Sequence, residues 1–129
     1  MARTNFETLK VYKLAEKLAD EIWRIASGWN ILAPDTVGKQ LVRAADSIGA
    51  NIAEGTERES FADNRRFVRT SRGSLNETKH WLRRAYGRDL LNDCQVNEIK
   101  PIVDELSPKL NAYLRSIGPL ADQMDDAKS

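Results

Sequence analysis

A chain of 129 residues is long enough to bury one hydrophobic core but short for two domains. Its 41% apolar and 30% charged residues with a net charge of +1 are typical of a soluble helical protein, and no apolar stretch approaches the ~20 residues of a membrane span. The single cysteine, Cys94, cannot form an internal disulfide, so we expect a protein of the reducing cytoplasm without a membrane partner.

Four segments repeat apolar residues at helical spacing, and no strand alternation competes with them. In the first segment, apolar residues recur from Val11 to Ile25, and Ser27-Gly28 is a typical helix end. The second segment is predicted to run from about Pro34, which suits a first helical turn, to Gly55.

The third and fourth segments are also predicted helices. The third begins after Ser60, whose hydroxyl can cap it with Asp63 as a short capping-box partner, and ends near Gly87. The fourth runs from about Asp93 to Gly118-Pro119. Two prolines inside it each remove a helical hydrogen bond, so we expect a helix bent at Pro101/Pro108, or else a break after Leu91–Asn92 or near Pro101.

Amphipathic helices joined by short links predict an all-α protein, an antiparallel up-down-up-down four-helix bundle. We expect this domain to cover residues 1–121. The polar residues 122–129 are expected to form a frayed tail.

Residues suited to catalysis or metal binding are few. Glu77 and His80 reproduce the Glu-x-x-His spacing of di-iron bundles, but such a site needs two copies and two further glutamates, and the chain has one histidine. A catalytic triad would need the same histidine, and Cys94 has no base beside it. Since there is also no Gly-rich phosphate loop, we expect a non-enzyme with no metal, cofactor or small-molecule substrate.

Positive charge is concentrated in the third helix. Residues 58–88 hold nine basic and three acidic residues, a net charge of +6, whereas residues 89–129 carry −4. Steps of three and four residues align five cations and Asn76 in a line about 110° around the helix from its apolar seam. The five cations, here called the basic stripe, are Arg65, Arg69, Arg72, Lys79 and Arg83.

Like charges in one line repel each other, so negatively charged groups must offset the repulsion within the basic stripe. Acids of the fourth helix or of a neighbouring subunit could do so, and so could the phosphates of a nucleic acid, which arginine binds with forked contacts. The sequence leaves salt-bridge pairing and nucleic-acid binding both open.

The second helix carries two further lines of residues. A polar ribbon on one flank consists of Gln40, Arg43, Ser47, Asn51, Glu54 and Arg58. A small strip on the other flank consists of Val42, Gly49, Ala53 and Thr56. Because glycine inside a helix costs about 1 kcal/mol relative to alanine, we expect another backbone to approach Gly49 closely.

The small strip predicts a homo-oligomer interface, because it gives the second helix a contact face beyond its core face. Trp23, Trp29 and Trp81 are many large aromatics for a core lined at several positions by small residues. Aromatic side chains are enriched at protein interfaces, so we expect some of the three to lie between subunits.

The segment QLVRAADSIGANIAEGTER at 40–58 resembles the four helix bundle protein family first met as reading frames in intervening sequences of bacterial large-subunit ribosomal RNA. The segments FETLKVYKLAEKLADEI at 6–22 and RFVRTSRGSLNET at 66–78 extend the resemblance over nearly the whole domain. Its most specific part is the run Ser47–Gly55. The family motif then comprises Gln40, Arg43, Ser47, Asn51, Glu54 and Gly55.

The resemblance implies a bundle that assembles into a homopentameric ring. It also implies kinship with the accessory protein of diversity-generating retroelements, a basic pentamer that works with RNA and a reverse transcriptase. The near-neutral net charge and the acidic fourth helix set this chain apart from that basic relative. The first hypothesis is an oligomer that binds structured RNA through the basic stripe; the alternative is an oligomeric scaffold for a protein partner, with the stripe used in intersubunit salt bridges.

Overall fold

The computed structural model describes residues 6–30 and 32–118, which contain four α-helices and no strand. The helices are α1 at Lys10–Ala26, α2 at Lys39–Thr56, α3 at Phe61–Gly87 and α4 at Asp93–Ser116. A short 3-10 turn at Phe6–Thr8 precedes α1. The predicted all-α four-helix class is confirmed, while the predicted tail at 122–129 lies outside the described residues.

All four helices contribute apolar side chains to one core. Each side chain in this set has less than 2% of its surface exposed, and the set includes Leu18, Ile22, Leu41, Ile48, Ile52, Val68, Leu75, Leu106 and Leu110. Burying one such side chain stabilises the folded state by about 1.5–3 kcal/mol relative to exposure. The apolar periodicity of the sequence therefore corresponds to the real packing faces.

The helices are arranged around a square. Helix α1 packs against α2 and α4, and α3 packs against the same two helices. At one end of the α3–α4 contact Arg65 reaches Ile117, and at the other end Tyr86 reaches Asp93, so these two helices run in opposite directions. The α1–α2 pair and the α3–α4 pair consequently form opposite faces of the bundle.

Helix α2 is entered through a π-helical turn at Pro34–Gly38, where the sequence predicts an ordinary first helical turn. Gly38 lies against the Trp29 ring, and a Cβ at this position would be 3.4 Å from the ring and 3.0 Å from the carbonyl oxygen of Ala33. The Trp29 indole N–H donates to the carbonyl oxygen of Leu90 at 3.0 Å, which joins the link after α1 to the link after α3. This packing is tertiary, and no local pattern in the sequence indicates it.

The starts of α3 and α4 are both capped by side chains. The Ser60 hydroxyl accepts a hydrogen bond from the backbone N–H of Asp63 at 3.1 Å, as predicted. Asn92 and Gln95 form a full capping box at the start of α4, which is absent from the sequence-based predictions.

Helix α4 is continuous through Pro101 and Pro108, so the predicted break near Pro101 is absent. Both prolines are exposed, and the defects that they cause lie on the solvent side of the helix, where water can serve the carbonyl groups left without a donor. The predicted bend at these prolines stays a prediction.

Candidate functional site

The basic stripe of α3 is not uniformly exposed. Arg65 is only 8% exposed, and its guanidinium donates to the carbonyl oxygen of Ile117 at 3.1 Å. Gly118 follows with a φ of +92°, and a Cβ there would lie 2.7 Å from the same guanidinium. Arg65 is thus turned into the bundle and fastens the end of α4 to α3, because the last turn of a helix leaves carbonyl groups without partners.

The middle of the stripe also faces α4. The Arg72 guanidinium donates to the side-chain oxygen of Asn111 at 3.4 Å, and the Lys79 ammonium donates to the Ser107 hydroxyl at 3.2 Å. Both acceptors are neutral, so these hydrogen bonds satisfy donors without neutralising charge. Arg69 and Arg83 are exposed.

The acids of α4 are engaged away from the stripe. Glu98 pairs with Arg24 at 2.6 Å and Glu105 with Lys10 at 3.5 Å, both on α1. Asp104 pairs with Lys100 in its own helix, and the Asp93 carboxylate accepts from the Tyr86 hydroxyl. The hypothesis that these acids offset the stripe within one chain therefore finds no support at Arg72, Lys79 or Arg83.

The two acids of α3 are likewise used elsewhere. Asp63 lies 3.5 Å from Arg66, and Glu77 lies 3.7 Å from Arg43 of α2. The Arg66 guanidinium also stacks over the Phe67 ring at 4.8 Å. Within the described residues, α3 thus presents a cationic flank at Arg72, Lys79 and Arg83 whose charge no acid of α4 neutralises.

The polar ribbon of α2 packs against α3. The Asn51 amide donates to the Ser47 hydroxyl, and the Ser47 and Ser74 hydroxyl oxygens lie 2.9 Å apart. Since the Ser74 hydroxyl donates its one proton to the Thr70 carbonyl, Ser47 is the donor to Ser74. The ribbon is therefore a directed chain of hydrogen bonds that joins two helices.

The remaining ribbon residues have contacts close by. Arg43 donates to the Gln40 side chain at 3.3 Å, and Glu54 pairs with Arg58. The hydrogen bonds and ion pairs of the family motif thus lie within α2 and its C-terminal end and between α2 and α3, and they support packing of the bundle. Arg43 also lines a surface groove of about 500 Å³ between α1 and α2, together with Trp23, Lys39 and Val42.

The small strip of α2 is partly covered by the chain itself. Gly49 is buried beneath the Tyr12 ring of α1, and a Cβ there would be 3.4 Å from the ring. The close approach predicted at Gly49 therefore involves a side chain of α1, where the sequence predicts a backbone. Thr56 is also buried, and its hydroxyl donates to the Ala53 carbonyl at 2.7 Å, whereas Val42 and Ala53 are half-buried.

The three tryptophans differ in exposure. Trp23 is 63% exposed on α1, while Trp29 and Trp81 are half-buried. The indole nitrogen of Trp81 is buried without a hydrogen-bond partner among the described residues. Trp23 is therefore the tryptophan whose exposure agrees best with the expectation of an intersubunit contact.

A surface groove of about 460 Å³ lies between α3 and α4, and we call it the basic groove. Its walls are mainly apolar and carry three cations. The lining includes Lys79, Leu82, Arg83, Tyr86, Val96, Lys100 and Val103. Two members of the basic stripe are thus set beside apolar side chains.

A second groove of about 350 Å³ lies between α1 and α2, and we call it the acidic groove. Its floor consists of small residues and its edge carries three carboxylates. The lining includes Ala15, Glu16, Ala19, Asp20, Ala45, Asp46 and Gly49. This groove is absent from the sequence-based predictions, although small residues four apart on both helices are a signal for it.

Burial raises the pKa of several ionisable groups, among them the Tyr12 hydroxyl at the acidic groove. Partial burial raises the pKa of the Asp46 carboxyl above its ordinary value, and the nearby Asp20 raises it further. Burial also raises the pKa of the Tyr113 hydroxyl, against a smaller opposite effect of its hydrogen bond with Asn64. No group of three or more His, Cys, Asp or Glu residues that could hold a metal is present in the described ranges.

None of the helices in the described part of the chain is long and apolar enough to span a bilayer. Residues 7–112 match the sequence profile described as 23S rRNA-intervening sequence protein. The chain belongs to this family. The match covers the ribbon, the strip and the basic stripe, so these features fall within the family domain.

A solved structure shares this fold. It is the crystal structure of a protein of unknown function from the S23 ribosomal protein family of Bacteroides thetaiotaomicron VPI-5482, with a TM-score of 0.72 and 22% sequence identity. The alignment covers 82% of this chain and 99% of that one. Comparison with curated protein sequences gives no significant match.

Proposed function

We propose that this chain is a non-catalytic homo-oligomer, a cytoplasmic pentamer by the family resemblance, that binds structured RNA through the cations of α3. The observation that carries the proposal is that no acid of α4 neutralises the charge of three cations of this helix. The four acids of α4 have partners in α1, in α4 itself and at Tyr86, so Arg72, Lys79 and Arg83 keep their charge for a group outside the chain.

The spacing of the stripe suits a phosphate backbone. From Arg69 to Arg83 the helix rises about 21 Å at ~1.5 Å per residue, a length that spans several phosphates. Arg65 belongs to the predicted binding set, and its burial gives it a different part in the proposal: it holds α4 in place beside the other cations. Phosphate contacts carry little sequence information, so base selectivity should be poor.

A second candidate function is an oligomeric scaffold for a protein partner, with the stripe used in intersubunit salt bridges. The observation that favours it is the basic groove, where Lys79 and Arg83 stand beside apolar side chains. Apolar walls suit a protein surface better than a phosphate strand.

The RNA proposal is tested by titrating structured ribosomal RNA fragments in a filter-binding assay. Each neutralised phosphate releases counterions, so with about six contacts the affinity should fall by roughly 10³-fold between about 50 and 200 mM salt. Arg69→Glu/Arg72→Glu should abolish most of the binding.

The matched control is Lys13→Glu/Lys17→Glu, which makes the same change of charge at two exposed positions of α1. It should bind RNA nearly as well as the wild type. No binding by the wild type at about 50 mM salt, where phosphate contacts are strong, or equal binding by both variants, would contradict the RNA proposal and leave the scaffold.

A further inference from the structure

The two grooves lie on opposite faces of the bundle and carry opposite charge. The acidic groove follows the α1–α2 face, and the basic groove follows the α3–α4 face. A molecule with complementary patches on opposite faces can bind a copy of itself head to tail, using a different patch on each copy.

The basic groove is suited to a protein surface. Leu82, Val96 and Val103 are only half-buried, and Tyr86 is 51% exposed, so apolar surface remains in contact with solvent. Arg83 has no ion-pair partner in the described ranges, and the Lys79 ammonium contacts only the Ser107 hydroxyl. These two cations thus keep an unneutralised charge at the edge of an apolar surface.

The acidic groove has the complementary character. Asp20 and Asp46 form no ion pair with a cation of the described chain, and partial burial together with the nearby Asp20 raises the pKa of the Asp46 carboxyl. The alanines on its floor allow the side chains of another helix to approach closely. Trp23 lies further along the same face, where it lines a neighbouring groove with Lys39 and Arg43, and 63% of its surface is exposed.

We propose that the basic groove of one copy packs against the α1–α2 face of the next copy, with Lys79 and Arg83 facing Asp20 and Asp46. The contact neutralises both sets of charges and covers Tyr86 on one copy and Trp23 on the other. This inference rests on the proposed homo-oligomer and names the surfaces that form it. In the assembled protein the neighbouring copy then covers Lys79 and Arg83, so these two cations leave the RNA-binding set. The RNA backbone is bound by Arg69 and Arg72 of each copy, which do not line the basic groove.

The occupant is a second copy because the chain itself supplies the complementary charge. A bare polyanion would satisfy the two cations but would leave the apolar walls of the basic groove in water. The acidic groove offers carboxylates and small residues, which match the cations and the apolar walls of the basic groove, and the exposed indole of Trp23 lies further along the same face.

Sedimentation velocity at several protein concentrations tests this pairing with charge-reversal variants. Two half variants each reverse the charge on one side of the contact: Asp20→Lys/Asp46→Lys and Lys79→Glu/Arg83→Glu. Each places like charges across the contact, so each should weaken assembly by at least about tenfold and shift the protein toward the 14.6 kDa monomer. The variant that combines all four substitutions restores opposite charges in swapped positions and should regain assembly. Lys13→Glu/Lys17→Glu is the control and should keep the wild-type mass.

The combined variant also separates lost pairing from lost folding, because it carries the same substitutions as the two half variants. If the half variants keep the wild-type mass, or if the combined variant stays monomeric while its helical circular dichroism is intact, the proposed pairing is wrong. A monomeric wild type would instead overturn the homo-oligomer itself. RNA binding by Arg69 and Arg72 is measured separately and does not decide either outcome.

Discussion

Gly55 lies where α2 and α3 approach each other closely. A Cβ at this position would be 2.5 Å from the side-chain oxygen of Asn64 and 3.2 Å from both its backbone oxygen and the Cβ of Phe67. A side chain can rotate away, but the backbone of α3 can move only if the helix shifts. This contact gives the glycine of the family motif a packing role, independent of any ligand.

Gly55→Ala should destabilise the fold by about 1–3 kcal/mol, because overpacking outweighs the higher helix propensity of alanine. Gly73 is the matched control: it lies in the middle of α3, and a Cβ at this position would have nothing within 4 Å. Gly73→Ala should therefore stabilise the protein by up to about 1 kcal/mol. Urea unfolding followed by circular dichroism measures both, and equal stability of the two variants would contradict the packing role.

At the scale of the helices, α4 depends on its first turn. The Asn92 side chain accepts from the backbone N–H of Gln95 at 2.8 Å, and the Gln95 side chain accepts from the backbone N–H of Asn92 at 3.0 Å. Together the two bonds satisfy two backbone donors at a helix end. This turn matters because two prolines further along α4 each remove a backbone donor.

Asn92→Ala should lower the free energy of unfolding by about 1 kcal/mol, within the usual range for a lost N-cap. Asn97→Ala is the control, since Asn97 is exposed within the same helix and makes no side-chain hydrogen bond in the described chain. That substitution should leave stability unchanged or slightly raised, because alanine has the higher helix propensity. If Asn97→Ala lowers the free energy of unfolding as much as Asn92→Ala does, the N-cap of α4 makes no stabilising contribution of its own.

The sequence predicts the four helices because a buried helix face requires apolar residues at spacings of three and four, and this repeat is visible within each local segment. It does not predict the orientation of Arg65, which depends on where the last turn of α4 ends. The π-helical turn at Pro34–Gly38 is hidden for a similar reason, since it forms together with the packing of Trp29 on Gly38. The acidic groove needs two helices side by side, and neither helix alone indicates it.

At the scale of the whole molecule, a net charge of +1 conceals a strong separation of charge. Two acids of α4 pair with α1 and the other two contact Lys100 and Tyr86. This leaves the carboxylates of the acidic groove on one face and the cations of α3 on another. In the proposed assembly, part of this charge is neutralised between copies and the rest remains for RNA. Assembly and RNA binding should then be linked through effective concentration.

Asp20→Lys/Asp46→Lys tests this link, because it raises the net charge of the chain from +1 to +5 while it disrupts the proposed contact. If assembly multiplies weak sites, RNA affinity should fall by roughly 10²-fold despite the added positive charge. Asp35→Lys, at an exposed position outside both grooves, should bind RNA at least as tightly as the wild type. Tighter binding by the double variant in the same filter assay would show that affinity follows net charge and not assembly.

The opposite placement of the two grooves has a consequence for how an assembly would respond to mutation. When copies join head to tail, every junction is the same junction, so one substitution recurs at each of them. The formation constant of a closed ring is then multiplied by the fold-change in association at one junction, raised to the power of the number of copies. A substitution whose effect is barely measurable for two copies could abolish the ring, and the ring would form over a narrow range of protein concentration.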